Sequence, residues 1–324
     1  MNRNNGCTKI SIIGAGSVGA TTAYALTLSG LANELVLVDM NKEKAEGEAL
    51  DLNHGAAFID PVKIKAGDYC DTKDSDIVIV TAGVAQKPGE TRIELVNKNI
   101  KIFESIIPEA AKYSPESILL IVSNPVDILS CKAYELSGFP KERVIGSGTV
   151  LDSSRLKYEI SKRLNTDPRD VQTYIMGEHG DTEFPVWSLT NIQGIKLEEY
   201  AKNQNYKFDD KIKSKIHKNV INAAYEVINK KGATNYAIAS AVNRIVKAIL
   251  GNEKSVLPIS TLLDGYYGIN DIYLSVPTIV GRNGSEKTLK VLLQENEIKE
   301  LKVSANTLKK VLEDSLPKDT RKIV

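Results

Sequence analysis

Apolar residues in the first half of the chain come in short continuous runs and not in alternation. Lys9–Ile13, Glu34–Asp39, Asp76–Ala82, Ser117–Ser123 and Arg143–Gly146 are rich in aliphatic and β-branched residues, with a weaker run at Lys63–Ala66. Between them apolar positions return at helical spacing, as at Thr21, Ala25 and Leu28 before Gly30. Continuous apolar strands alternating with helices predict a parallel sheet covered on both faces. The expected first domain is thus α/β, a doubly wound parallel sheet over residues 1–148. The second half reads differently. Leu197–Lys231 is charged but helical, with Ile212, Ile216, Val220, Ala223 and Val227 three or four apart, and Thr234–Leu250 is a strongly apolar helix. Ser255–Leu263 and Ile272–Val280 read as antiparallel strands, and Asn296–Leu316 as a closing amphipathic helix. An α+β second domain over 149–324 follows.

In a doubly wound sheet ligands bind beyond the carboxyl ends of the strands, so the residues there carry the candidate chemistry. The first strand runs into Gly14-Ala-Gly-Ser-Val-Gly19 and then a helix, the required context of a Rossmann dinucleotide fingerprint. Gly14 permits the turn, Gly16 lets backbone approach a pyrophosphate with Ser17 and Val18 behind it, and Gly19 lets helix pack on strand. The next strand ends in Asp39, whose carboxylate would accept both ribose hydroxyls and repel a 2′-phosphate, which selects NAD over NADP. As an alternative, Asp39 simply caps the helix that follows it. Later strand ends supply Thr81, Ala82 and Gly83, then Asn124 in Ser123-Asn-Pro-Val-Asp127, then Ser147 in a segment that continues to Asp152 and Arg155. Ala82–Arg92, with Gly83, Pro88 and Gly89, reads as a mobile lid and not a helix. Asp152 and Arg155, three apart, share one face of the next helix.

Composition narrows the classes. Of 324 residues 42% are hydrophobic, 26% charged and 6% aromatic, and the net charge is +1. That is an ordinary globular composition with no general attraction to nucleic acid or to an anionic membrane. No apolar run approaches the ~20 residues that span a bilayer. Cys7, Cys70 and Cys131 are widely spaced and odd in number, which favours free thiols in a reducing cytoplasm over disulfides, and offers no metal-site pattern. There are three histidines, His54, His179 and His217. His179 lies in Tyr174-Ile-Met-Gly-Glu-His-Gly-Asp181, after an apolar run, and a histidine can both take and give a proton near neutrality. His217 is expected to be solvated on the polar side of its helix, and His54 to be structural.

With these motifs in place the chain resembles the lactate/malate dehydrogenase family over nearly its whole length. The resemblance rests on GAGSVG at 14–19, TAGVAQKPGETR at 81–92, SNPVD at 123–127, GSGTVLDSSR at 146–155 and GEHGD at 177–181, extended by GATNYAIA at 232–239 and LSVPTIVG at 274–281. It implies His179 as the acid/base of a 2-hydroxy acid oxidation, oriented by Asp152. Arg155 would take the substrate carboxylate as a two-pronged fork, Arg92 on the lid would polarise the carbonyl, and Asn124 would donate to the substrate oxygen. Singly, each has an ordinary structural explanation (a helix cap, a solvated arginine, a turn residue); five together at these positions do not.

Substrate choice turns on Gln86. The family reads the distal end of the substrate there, and its malate-specific members resemble this site but carry arginine. A second carboxylate against neutral Gln86 would be an uncompensated buried charge, so pyruvate and L-lactate are favoured, with Thr234 as a small pocket wall. Malate or a longer 2-hydroxy acid is the alternative within enzymes, and a catalytically dead NAD-binding protein the alternative outside them. The resemblance also implies a homo-oligomer, a tetramer in the bacterial members. Many of those are activated by fructose 1,6-bisphosphate bound between subunits by an arginine and a histidine. The matching positions here hold Lys157 and Gln172, which argues against such activation.

Overall fold

The structure, a computed structural model, describes residues 8–85 and 91–315. Six strands and their crossovers build the first of two compact units: β1 (Lys9–Ile13), α1 (Ser17–Leu28), β2 (Glu34–Val38), α2 (Lys42–His54), β3 (Lys63–Ala66), β4 (Ile77–Val80), α3 (Arg92–Tyr113), β5 (Ile118–Ile121), α4 (Val126–Ser137) and β6 (Val144–Gly146). The strands lie in the order β6-β5-β4-β1-β2-β3, each pair parallel. All four residues of β4 and of β5 are buried, as continuous apolar runs require. The order reverses direction at β1, and that places the glycine loop 14–16 at the switch point of the sheet.

The second unit holds α5 (Val150–Leu164), the short strands β7 (Val171–Gln172), β8 (Ile175–Met176), β9 (Phe184–Pro185), β10 (Asn191–Ile192) and β11 (Ile195–Lys196), then α6 (Leu197–Asn203) and α7 (Asp210–Lys231). After these, α8 (Tyr236–Leu250) returns to the first unit and packs on α1. The neighbouring strands β12 (Ser255–Leu263), β13 (Ile272–Gly281) and β14 (Gly284–Thr288) follow, and α9 (Glu295–Ser315) closes the described chain. A single cut between residues 148 and 149 therefore does not describe the units fully. The first also takes Asn235–Ser255 and Val280–Glu286, because α8 buries its apolar face there, while Gly148–Thr234, Val256–Ile279 and the residues from Lys287 onward form the second.

Several local expectations need revision. Leu197–Lys231 is two helices, not one: Asn205 takes a left-handed φ of 55°, and Asp209 then caps α7 by accepting the Ile212 N–H at 3.1 Å. On α7 only Ile216 and Val220 are buried, in a cluster with Leu156, Ile160, Val171, Ile175 and Ile192; Val227 is exposed. His217 is half-buried and not solvated, since it borders that stripe one turn before Val220. Its Nε2–H donates to the Glu183 carbonyl at 2.9 Å, and burial pushes its pKa down, against the smaller upward effect of that bond. Arg92 opens α3 instead of sitting in a loop. Thr91 caps that helix by accepting the Glu94 N–H at 3.2 Å while the Glu94 carboxylate accepts the Thr91 N–H at 2.9 Å. Thr-x-x-Glu is a capping box and was legible as such. The rest of the expected lid, Gln86–Glu90, lies outside the described residues.

Candidate active site

The dinucleotide elements belong to the first unit. Gly14 has φ +105°, and a Cβ there would lie 2.6 Å from the Ala82 nitrogen. At Gly19 a Cβ would lie 1.8 Å from the Gly14 carbonyl oxygen, so that glycine is required by packing alone. Gly16 is different: a Cβ there meets nothing within 4 Å. The protein does not need a glycine at 16, whereas a pyrophosphate lying against the backbone would. No side chain caps α1, so the donors of its first turn and the positive end of its dipole suit an anion. Ser17 is exposed and Val18 half-buried beside them. These features fit NAD.

Asp39 does more than its strand-end position predicts. Its Oδ2 accepts the Ala15 N–H at 2.6 Å and its Oδ1 the Asn41 N–H at 2.9 Å, tying the glycine loop to the end of β2. Each carboxylate oxygen keeps acceptor capacity, so ribose hydroxyls can still be received. Thr81 donates to the Gly14 carbonyl at 2.7 Å, and Ser123 to the Ala82 carbonyl at 2.6 Å. Asn99, fully buried on α3, accepts the Val84 N–H at 2.9 Å and donates to the Asn124 carbonyl at 2.9 Å. One side chain thus holds the segment carrying Ala82 and Gly83 to the one carrying exposed Asn124, a role the sequence did not suggest. Ser147 is buried, its N–H donating to the Ile121 carbonyl at 2.8 Å. Arg92, half-buried at the first position of α3, places a cation where the helix dipole disfavours one by about 0.3–1 kcal/mol. Helix stability does not account for it.

The second unit brings three of the expected residues together. His179 Nδ1 lies 2.6 Å from Asp152 Oδ2, and Arg155 Nη1 donates to Asp152 Oδ1 at 2.7 Å. Asp152 is 1% exposed. Burial works against its charged form, but the charge and hydrogen bond of His179, with those of Arg155, hold its carboxyl below the usual carboxylate range. Because Nδ1 faces the carboxylate, Nε2 is the nitrogen with a proton to exchange. Thr234 is half-buried between α7 and α8. Lys157 is half-buried on α5, its pKa pushed down by burial, and Gln172 is exposed on β7.

The residues that set this geometry were not found from sequence. The Thr149 hydroxyl donates to the Ile175 carbonyl at 2.6 Å, and the Ser153 hydroxyl accepts the Ile175 N–H at 2.9 Å. Both backbone groups of a buried residue in β8 are therefore satisfied by side chains flanking Asp152, one from the residue before α5 and one from its first turn. Two residues on, Gly177 exchanges both backbone bonds with Ser275, at 3.0 and 2.9 Å. Next, the Glu178 N–H donates to Ser304 Oγ at 2.6 Å. Gly177 has φ +95°, and a Cβ would lie 2.8 Å from that same Ser304 oxygen. Serine and threonine hydroxyls give no periodic signal, so only the fold reveals them. Glu183 was missed as well; it is buried, and one of its carboxylate oxygens lies within 4.8 Å of a carboxylate oxygen of Asp152 and a ring nitrogen of His179.

The chain is similar to known proteins over nearly its whole length. Residues 8–146 match the model of the lactate/malate dehydrogenase NAD binding domain, and residues 149–318 that of the lactate/malate dehydrogenase alpha/beta C-terminal domain. The chain is 64% identical over 315 residues to an L-lactate dehydrogenase of Clostridium botulinum (strain Loch Maree / Type A3), covering 97% of this chain and 99% of that protein. It is 60% identical over 306 residues to L-lactate dehydrogenase 1 of Clostridium acetobutylicum, covering 94% and 98%. Among solved structures, the ligand-bound minor L-lactate dehydrogenase of Enterococcus mundtii superposes with a TM-score of 0.92 at 43% identity, covering 96% of this chain and 99% of that one.

Two predictions follow from the geometry. Ser153→Ala leaves the buried Ile175 N–H unsatisfied at a cost of about 1–3 kcal/mol, and thermal unfolding should show a lower Tm; an unchanged Tm would mean that the clamp does not hold β8. Gly19→Ala should lower the Tm as well as weaken NADH binding, whereas Gly16→Ala should weaken NADH binding with the Tm preserved. Fluorescence titration with NADH beside a melting curve separates the two, and equal behaviour would contradict the reading of Gly16.

Proposed function

The chain belongs to the lactate/malate dehydrogenase family, and we infer that it is an NAD-dependent L-lactate dehydrogenase interconverting L-lactate and pyruvate. The observation that carries the acid/base assignment is the 2.6 Å contact of His179 Nδ1 with the buried carboxylate of Asp152. NAD supplies the hydride acceptor, and NADH the donor. In pyruvate reduction His179 gives its Nε2 proton to the carbonyl oxygen as that oxygen gains charge; in lactate oxidation it takes the hydroxyl proton back. Asp152 fixes the ring and stabilises the imidazolium without itself taking a proton. Arg155 spends one N–H on Asp152, and its planar fork suits the substrate carboxylate. Arg92 polarises the carbonyl and Asn124 donates to the same oxygen. Gln86 and Thr234 favour a methyl over a second carboxylate at the distal end, which sets malate aside as a substrate.

NAD regeneration by pyruvate reduction would make this the last step of lactate fermentation in the cytoplasm. The free thiols of Cys70 and Cys131 fit a reducing compartment, and no helix of the described residues is long and apolar enough to cross a membrane. We further infer a homotetramer. In support, Tyr225, Val227 and Ile228 on the second half of α7 expose apolar side chains.

NADH oxidation should be faster with pyruvate than with oxaloacetate, and His179→Asn should lose on the order of 10²–10⁴ in turnover while still binding NADH. Preference for oxaloacetate would overturn the Gln86 assignment, and an active His179→Asn enzyme the acid/base assignment. Because Lys157 lacks a guanidinium fork and Gln172 carries no charge, fructose 1,6-bisphosphate should leave the half-saturating pyruvate concentration within about twofold. Sedimentation should give the mass of four chains with or without it; a large fall in half-saturation or a monomer would contradict the respective point.

A further inference from the structure

Among the three buried glutamates described in the second unit, Glu178 accepts from the Thr182 hydroxyl through one oxygen, and the other two are treated very differently by their surroundings. Glu297, 2% exposed, accepts from the Ser188 N–H at 3.0 Å, the Ser188 hydroxyl at 2.6 Å and the Gln294 N–H at 2.8 Å. Glu183 is 4% exposed, yet its Oε1 is buried with no hydrogen-bond partner, and no ion pair involves it among the described residues. It lies beside the acid/base pair, one carboxylate oxygen each of Asp152 and Glu183 and a ring nitrogen of His179 all falling within 4.8 Å of one another. Asp152 has a partner on each oxygen. An ionised Glu183 would be a second buried anion beside it without a cation of its own, and such a carboxylate neutralises instead.

We propose that Glu183 is a positioning residue of the acid/base centre, an uncharged carboxyl whose proton is shared thermodynamically with His179, so that the two groups titrate as one pair. This rests on the dehydrogenase reading above. The supporting electrostatics are consistent: burial pushes the Glu183 carboxyl up to about 9, with the Asp152 charge adding to it and His179 and Arg155 opposing. The other groups facing it do not cancel this. Asp181 adds repulsion. His217 on α7 binds the Glu183 backbone carbonyl, while on α9 Glu297 is turned to Ser188; Glu300, Asp210 and Lys213, the last paired with Glu198, line the adjoining cleft with Pro185 and His217. When His179 is protonated its charge favours loss of the Glu183 proton; when His179 has given its proton away, the Glu183 proton is held more firmly. Coupled groups of this kind release protons in two steps that belong to the pair. The neutral carboxyl thus keeps a second negative charge away from His179 near neutrality and supplies one only in alkali.

The test uses the full chain labelled at its histidine rings, with His179→Asn to assign the signal. By NMR titration the His179 resonance of the wild type should show two inflections, the upper near pH 9, and Glu183→Gln should show one. The pH profile of pyruvate reduction should lose its upper alkaline inflection in the same variant. Stability gives a readout independent of turnover. The folded pKa of Glu183 lies above the ordinary 4.5, so its contribution is complete below about 4.5 and is lost as pH rises toward 9. Glutamine does not titrate, so the Tm of Glu183→Gln relative to wild type should climb steadily between pH 5 and 9. Glu183→Met, also non-titrating, serves the same measurements should the glutamine variant not fold. A Tm difference that is flat with pH overturns the proposal, and so does a His179 titration identical in wild type and variant. Absence of pyruvate turnover in the wild type would instead sink the dehydrogenase reading, and the NMR and Tm arms would still decide the pairing of protons.

Discussion

A 2.6 Å contact between an imidazole and a carboxylate that is 1% exposed is the interaction on which the second unit is organised. Burying Asp152 is expensive, and the cost is tolerable only because a guanidinium and an imidazole are held on its two oxygens. They come from different places: Arg155 from the same helix one turn on, His179 from a loop 27 residues later. The first needs only helical geometry. The second needs the loop to be placed to within a few tenths of an ångström, and no local preference of the sequence Gly-Glu-His-Gly does that.

Placement comes instead from a line of backbone clamps. Ile175 is bound through both its backbone groups by hydroxyls of Thr149 and Ser153, Gly177 through both of its own by Ser275, and Glu178 by Ser304. Elements α5 with its capping residue, β13 and α9 converge on three of the four residues before His179. The positive φ of Gly177 and the absence of its Cβ let Ser304 approach. The first unit uses the same device: Asn99 joins two strand-end segments, and Asp39 ties its own strand end to the glycine loop. In both units a buried polar side chain satisfies backbone groups and, by doing so, fixes the loop that carries the chemistry.

Sequence alone determined much of this protein. The continuous apolar runs specify parallel strands buried on both faces, because an alternating pattern could not fill both sides of the sheet, and β1, β2, β4 and β5 stand where those runs lie. Gly14 and Gly19 were legible because steric exclusion leaves glycine no substitute there, and Asp152 with Arg155 because three residues on a helix make neighbours. The break in Leu197–Lys231, the burial of His217 and the helical start at Arg92 were not, since each depends on which side of a local pattern meets another element. Pairing His179 with Asp152, choosing Thr149, Ser153 and Ser304 as clamps, and leaving Glu183 Oε1 buried without a partner were decided by tertiary structure. Hydroxyls and carboxylates carry no periodicity, and their protonation and bonding depend on neighbours that lie up to 126 residues away in the chain.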